Sequence, residues 1–164
     1  TDRAEATPHD IFEWTEGRAV IGTGSPFPPV QRDGHVFRVD QTNNAYVYLA
    51  GVASCVAGDW VSYNASTYVA VRLAADAVGL VGIAMGATLA ANWGWFQVYG
   101  FNTTSRSDTV AGAGGLFIDG TTGRVDDASV AGDFVNGALS TAADTANVLP
   151  VHISFPYVTN TAPA

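Results

Sequence analysis

The chain of 164 residues contains no lysine, and its seven arginines stand against fifteen acidic residues, for a net charge of −8. Seven scattered arginines cannot form the basic stripe that neutralises a phosphate backbone, so we expect no nucleic-acid partner. The same charge balance disfavours binding to anionic lipid. Asp76 and several Gly and Asn residues interrupt the long apolar stretch 73–95, which predicts that it does not span a membrane.

Cysteine is limited to Cys55, which excludes a disulfide framework and a cysteine-based zinc site. We predict that this thiol is a small buried apolar group. The first 17 residues are polar and acidic and lack the apolar core of a signal peptide, so we expect a soluble protein made inside the cell. A hydrophobic content of 48% with 13% charged residues is enough for a core.

The composition of the chain changes near residue 46. All three glutamates lie before this point, and the remainder is rich in Ala, Gly, Val, Thr and Asp. We therefore predict an N-terminal arm at residues 1–45 and a β-rich body at residues 46–164. A short helix is expected from Thr7 and a short strand at Arg18–Ile21. The prolines and glycines of Gly22–Pro29 exclude a helix or central strand, so the arm should be extended and partly irregular.

The body shows the residue pattern of β structure. Strands are predicted at residues 46–49, 60–63, 67–73, 78–84, 93–99, 116–118, 148–153 and 157–158. Gly, Asn and Asp turns recur often between them, which predicts an antiparallel β-barrel or sandwich. The Ala-rich range 67–91 could instead hold a short helix. A five-residue sequence, Ala57–Val61, recurs in related form as Ala131–Val135, which weakly indicates an internal duplication.

Few side chains of the body are candidates for chemistry. Three acidic residues lie in a Gly- and Thr-rich stretch: Asp119, Asp126 and Asp127. Their oxygens could ligate Ca²⁺, but their spacing matches no calcium loop and favours turns. His152 has no evident nucleophile or acid partner and is more typical of a strand residue than of a base. Trp93 and Trp95 share one strand face, where they fill the core or, alternatively, form a subunit interface.

The first third carries a family resemblance. Residues 3–30 read RAEATPHDIFEWTEGRAVIGTGSPFPPV, and residues 33–48 read DGHVFRVDQTNNAYVY. Over residues 1 to about 48 this closely resembles the late nicotinamide-domain segment of malic enzymes. The family pattern has W-T-x-G, a T/S-G-S-P-F loop and a Q-x-N-N-x-Y/F element. The resemblance implies that Asn43 and Asn44 contact the malate carboxylate, although an Asn pair is more typical of a turn.

The malic-enzyme pattern breaks off after this segment. The family continues with an aromatic-Pro-Gly turn, whereas this chain has Tyr48-Leu49-Ala50-Gly51. The family's reaction needs a dinucleotide fold, a catalytic lysine, a catalytic tyrosine and metal carboxylates. No lysine is present, and no G-x-G-x-x-G follows a strand and opens a helix. We therefore predict no catalytic, cofactor-binding or metal residues, no cofactor and no enzyme. A malic-enzyme-derived fragment or oxidoreductase stays as the alternative.

Residues 46–164 resemble small phage virion proteins of the head decoration, or cement, class. The similar motifs are AGDWVSY, YVAV, LVGIAMG and GWFQVYG, followed by GLFIDGTTGRVDD, AGDFVNGALSTAAD and VHISFPYV. The resemblance implies a β-rich, often trimeric body that binds the outside of capsids without catalysis. We therefore predict a bacteriophage structural protein on the virion head, a homo-oligomer (trimer favoured) that contacts the major capsid protein. A second alternative is a β-rich binding module of a phage tail or surface.

Overall fold

The computed structural model describes residues 37–90 and 92–161, and every regular element in this part of the chain is a β-strand. The strands are β1 (Phe37–Val39), β2 (Ala45–Ala50), β3 (Trp60–Tyr63), β4 (Ala70–Arg72), β5 (Val78–Ala84), β6 (Trp93–Arg106), β7 (Gly114–Ile118), β8 (Val125–Asp126), β9 (Phe134–Ser140) and β10 (Val148–Thr159). In residues 37–90 and 92–161 there is no helix long and apolar enough to cross a membrane.

The strands pair into one antiparallel sheet that branches and curls. Neighbours follow the order β1-β2-β6-β5-β10-β9-β7-β8, while β3 pairs with β5 and β4 as a side branch. Strands β6 and β10 are the longest, and register shifts let each pair with different neighbours along its length. Bulges of this kind bend a strand and increase its twist. The long strands therefore turn the sheet into a half-barrel.

The prediction of a mainly β, antiparallel body is confirmed. The suggestion of a short helix in residues 67–91 is wrong, because the described part of that range consists of β4, β5 and the turns around them. The predicted helix from Thr7 and strand at Arg18–Ile21 lie outside the described residues. The division between an arm and a body at residue 45 is untested and stays a prediction.

Two clusters of buried apolar side chains lie on the two faces of the curled sheet. The first is the larger and includes Trp60, Leu73, Leu116 and Leu149. The second includes Leu49, Cys55, Phe96 and Val98, which confirms that the Cys55 thiol is buried. Successive side chains of a strand point to opposite faces, so β5 contributes Val81 and Ile83 to the first cluster and Ala84 to the second. Strands β3 and β5 therefore contribute to both clusters, whereas β2 and β6 contribute only to the second, and β7, β9 and β10 only to the first.

A buried carboxylate joins three distant parts of the body. Asp59 lies just before β3 and is fully buried. It accepts a hydrogen bond from Arg72 Nε of β4 at 2.9 Å and from Arg106 Nη1 of β6 at 2.7 Å. The backbone N–H of Val56 donates to the same carboxylate at 3.1 Å. Burying a charge is costly unless it is paired and hydrogen-bonded, and Asp59 meets both conditions.

The five-residue sequence that recurs in the chain has a structural counterpart. Gly58 and Gly132 both adopt left-handed backbone conformations, with φ of 84° and 92°. The aspartate after each glycine is buried and accepts a backbone hydrogen bond: Val56 N–H binds Asp59, and Asp76 N–H binds Asp133 at 2.9 Å. A strand begins directly after each aspartate. The same glycine–aspartate turn therefore starts both β3 and β9.

Candidate functional site

A cavity of about 630 Å³ opens on the surface formed by β6, β9 and β10, and the loop between β1 and β2 forms part of its rim. Its lining includes Asn43, Asn44, Phe101, Leu139, His152 and Ser154. His152 on β10 lies directly opposite Phe101 on β6 and Leu139 on β9. The strand register therefore brings together residues that are far apart in the sequence. A cavity of this size suits a small ligand.

The β1–β2 loop is organised by the buried carboxylate of Asp40. Its Oδ1 accepts from Thr42 N–H and Thr42 Oγ1, both at 2.8 Å, and from Asn44 N–H at 2.9 Å. Its Oδ2 accepts from the Tyr46 hydroxyl at 2.8 Å. Burial alone would raise the pKa of Asp40, but these hydrogen bonds outweigh burial and lower it. Burial and the adjacent carboxylate raise the pKa of Tyr46.

Asn44 connects this loop to the sheet. Its Oδ1 accepts from the backbone N–H of Phe101 at 3.0 Å, and its Nδ2 donates to Thr42 Oγ1 at 2.9 Å. Gly100 on β6 makes this approach possible, because a Cβ at that position would overlap Asn44 Oδ1. Gly100 also has a φ of 104°, which favours glycine. The Asn44 side chain therefore stabilises the rim of the cavity.

Asn43 has a different role from its neighbour. It is exposed at the tip of the loop, with a left-handed φ of 64° that Asn tolerates better than most residues. Among residues 37–90 and 92–161, no hydrogen bond engages its side-chain amide. The structure therefore places Asn43 and Asn44 in a turn, where the two side chains have different roles. Asn44 holds the loop, and Asn43 presents its amide at the edge of the cavity.

His152 also lies at this cavity, on the exposed face of β10. Its ring centroid is 4.9 Å from that of Phe101. An imidazole can donate a hydrogen bond to an anion and carries a positive charge when protonated. Among the lining residues of this cavity, His152 is the side chain that can carry a positive charge, and Tyr99 contributes a second ionisable group.

The three aspartates considered as calcium ligands are used in local turns. Asp119 accepts from Thr121 N–H, Asp126 from Ala128 N–H at 3.1 Å, and Asp127 from Ala111 N–H at 2.7 Å. Among the described residues, no cluster of three or more His, Cys, Asp or Glu side chains could hold a metal ion. Burial, with added repulsion from nearby carboxylates, raises the pKa of Asp126 to about 6.

The structure brings Asn43, Asn44 and His152 to one cavity, and the other candidate residues are not part of its lining. Trp93 and Trp95 share a face as predicted, and both pack against Tyr48, with ring centroids at 5.9 Å and 5.0 Å. Sequence reasoning missed the walls of the cavity, which are formed by Phe101 and Leu139. No local motif marks these two residues, because only the pairing of β6, β10 and β9 makes them neighbours.

Comparison with known proteins finds similarity in the first part of the chain. Residues 1–77 match the family described as malic enzyme, NAD binding domain. The NAD-dependent malic enzyme 3 of Bacillus subtilis is 56% identical over 48 residues, and the NAD-dependent malic enzyme of Sodalis glossinidius is 52% identical over 48 residues. That of Shewanella frigidimarina is 48% identical over 58 residues. No solved structure matches the chain.

The matched stretch is a small part of each relative. It covers 29% of this chain and 8% of the Bacillus subtilis and Sodalis glossinidius enzymes. For the Shewanella frigidimarina enzyme it covers 34% of this chain and 10% of that protein. The predicted malic-enzyme resemblance of the first third is therefore confirmed, and the match of residues 1–77 extends it beyond residue 48.

The prediction of a capsid decoration or cement protein is wrong. The family match and the relatives named above are malic enzymes, and they support the predicted alternative of a malic-enzyme-related fragment. The predicted location on the virion head is wrong for the same reason. The capsid prediction relied on the β-rich sequence of the body. An Ala- and Gly-rich antiparallel sheet indicates a fold, and one fold can serve many functions.

The prediction that the chain has no enzymatic role is also wrong, since its relatives are NAD-dependent malic enzymes. That prediction relied on the missing lysine and the missing dinucleotide fingerprint. The matched residues are at most a tenth of the length of the relatives named above, so catalytic groups need not lie within them. No comparison tests the predicted contacts with a major capsid protein or with further copies of the chain. Both stay predictions, and the first was argued only from the virion role.

Proposed function

We propose that this chain has a malic-enzyme-related function and that it binds a C4 2-hydroxy dicarboxylate of the malate class beside Asn43. The observation that carries this proposal is the position of the matched Q-T-N-N motif. The motif lies within the stretch similar to malic enzymes, and it forms the rim of the cavity lined by β6, β9 and β10. The part of the chain that resembles the enzymes is therefore also the part that borders a pocket.

The chemistry of the rim suits a carboxylate. The Asn43 amide is exposed and can donate to a carboxylate oxygen, and His152 supplies a second donor in the same cavity. The Asp40 carboxylate would repel an anion, but it is buried, is hydrogen-bonded by Thr42, Asn44 and Tyr46, and is not among the residues that line the cavity. Phe101 and Leu139 line the cavity with apolar surface and are themselves partly exposed, so binding relies on the polar donors of the rim. Hydrogen bonds to a charged ligand are stronger than those to a neutral one.

The described residues do not fit the nicotinamide cofactor or a divalent metal. A dinucleotide pyrophosphate is bound at the N-terminus of a helix that follows a Gly-rich turn, and residues 37–90 and 92–161 form strands and loops. In the same residues no acidic cluster is placed to hold a metal. We therefore derive no hydride-transfer step here. The proposal assigns to these residues the binding and orientation of the dicarboxylate.

The experiment is calorimetric titration of the full chain with L-malate. An uncharged donor that binds a charged acceptor contributes about 1.5–3 kcal/mol, so Asn43→Ala should weaken L-malate binding by about 10- to 100-fold. Asn147→Ala is the matched control, because Asn147 is also exposed and left-handed, with φ of 63°. It lies in the loop between β9 and β10, and its replacement should leave the affinity unchanged.

Two further measurements sharpen this test. Acetate carries one carboxylate and no hydroxyl, so it should bind much more weakly than L-malate. Malate-dependent reduction of NAD, measured with Mn²⁺ for the same variants, should fall in Asn43→Ala wherever it is detected and should be unchanged in Asn147→Ala. The proposal is rejected if the unmodified chain does not bind L-malate, or if the two asparagine variants lose the same affinity.

A further inference from the structure

A second feature of this region is an exposed apolar surface on the strands themselves. We call it the outer aromatic face and define it by Phe101, Leu139, His152, Phe155 and Tyr157. The four apolar members are between 43% and 56% exposed. The three strands β6, β10 and β9 place Phe101, His152 and Leu139 side by side. An exposed apolar patch of this kind usually marks an interaction site.

The two core clusters show that this face points away from the larger core. Val151, Ile153 and Val158 of β10 all lie in the first core cluster. Side chains alternate along a strand, so His152 and Tyr157 lie on the opposite face. Between them β10 has a register irregularity, and Phe155 has a left-handed φ of 45° that is costly for a bulky residue. This backbone conformation leaves the Phe155 ring half exposed beside Tyr99, at 5.6 Å.

We propose that residues 1–36 of this chain dock on the outer aromatic face. The segment carries large apolar side chains that can fill such a surface: Ile11, Phe12, Trp14, Val20, Ile21 and Phe27. The face itself has no charged member other than His152 when protonated, although the whole chain has a net charge of −8. An apolar occupant therefore suits it better than an ionic one. Burial of aromatic and aliphatic side chains is the main source of such binding.

The point of attachment favours this segment. Residue 36 leads directly into β1, and the loop after β1 borders the same cavity that the face lines. In the sheet, Phe37 is opposite Val47, which is opposite Phe96, and Phe101 lies further along β6. Strand spacings put Phe101 about 20 Å from Phe37, and ten extended residues span about 33 Å. Phe27 and the residues before it can therefore reach the face.

Covalent attachment decides between this segment and a second copy of the chain. A tethered segment binds at an effective concentration in the millimolar range, whereas a second copy must lose translational freedom on association. The prolines between Pro26 and Pro29 narrow the range of conformations of the free segment, which lowers the entropy lost on docking. The docking surface shares Phe101, Leu139 and His152 with the lining of the cavity, so docking and dicarboxylate binding would compete, but docking does not require Asn43 or malate.

The test is trypsin cleavage of the full chain, followed by mass spectrometry. Trypsin cuts after arginine, and the segment contains Arg3, Arg18 and Arg32, of which cleavage at Arg18 and Arg32 is followed. Leu139→Asp should accelerate cleavage at both sites by about tenfold, because docking must open before the protease can act. Val71→Asp is the matched control, since Leu139 and Val71 are both 56% exposed and both lie within strands. It should leave these cleavage rates unchanged.

A variant in the segment keeps the test valid if Leu139→Asp does not fold. Trp14→Ala changes no residue of the sheet and should accelerate cleavage at Arg18 to a similar extent. Asn43→Ala should leave cleavage unchanged, which separates this proposal from dicarboxylate binding. The proposal is overturned if Leu139→Asp and Trp14→Ala both cleave at the unmodified rate, or if Val71→Asp has the larger effect. Protection that rises with protein concentration would also overturn it, because a second copy would then be the occupant.

Discussion

The buried ion cluster around Asp59 gives the sharpest stability prediction. We expect Asp59→Asn to destabilise the body strongly, because asparagine keeps the shape of the side chain but removes its charge. Arg72 and Arg106 would then lose their common carboxylate, with which they now form contacts of 2.9 Å and 2.7 Å. An amide nitrogen would also face one of these cations. The change therefore breaks the connection between the start of β3 and the strands β4 and β6.

The magnitude follows from burial. Asp59 has a side-chain exposure of 0%, whereas Arg72 and Arg106 keep 23% and 27%. Hydrogen bonds to charged groups contribute about 1.5–3 kcal/mol each, which gives about 3–6 kcal/mol for two. Partial solvation of the arginines moves the expected loss toward the lower end, about 3–4 kcal/mol. Removing one partner of a buried pair typically costs a similar amount.

The assay is urea unfolding, with Asp108→Asn as the matched control. Asp108 is also paired with an arginine, but its contact to Arg124 is 3.9 Å and its side chain is 51% exposed. Such a surface pair contributes about 1 kcal/mol or less. With a slope of about 2 kcal/mol per molar urea, the Asp59 variant should unfold about 1.5–2 M earlier, and the control should shift by less than about 0.5 M. Equal shifts in the two variants would refute the reasoning.

Two further variants test the rim and the aspartate turn. Gly100→Ala should lower the free energy of unfolding by about 2–4 kcal/mol in a thermal melt, because the left-handed backbone of Gly100 and its contact with Asn44 both exclude a Cβ. The control Gly112→Ala lies in open space and should change this free energy by no more than about 0.5 kcal/mol. Since the pKa of Asp126 is raised to about 6 from 3.8, this group favours the folded state below pH 3.8, and that stability is lost as pH rises through 6. Asp126→Asn should therefore gain stability at pH 7 relative to the unmodified chain, and a gain that is equal at pH 4 would contradict this assignment.

Much of the strand pattern could be predicted from local sequence. The ranges 60–63 and 78–84 coincide with β3 and β5, because β-branched and aromatic residues are bounded there by Gly, Asn and Asp. Strand β9 was missed. Its sequence, FVNGALS, contains Asn136 and Gly137, which weaken the alternation that marks a strand. Pairing with β10 and β7 holds β9 in place, and this long-range contribution has no local signal.

The candidate site was predictable only in part. The motif with Asn43 and Asn44 was visible in the sequence, but the different roles of the two residues depend on Asp40 and on the N–H of Phe101. The cavity walls could not be found, because the register of β6, β10 and β9 brings Phe101, Leu139 and His152 together. The capsid prediction was wrong for a related reason. A β-rich sequence shows how the chain packs, whereas the similarity to malic enzymes lies in the matched segment.

The most direct test of the proposed function is an NMR titration of the ¹⁵N-labelled full chain with L-malate. The account predicts progressive shifts of the backbone amides of Thr42, Asn43 and Asn44, together with those of Phe101 and His152 across the cavity. The amide of Asn147, which lies in another loop, should not move. No change at a concentration that saturates the calorimetric signal, or shifts confined to other parts of the chain, would contradict a dicarboxylate site beside Asn43.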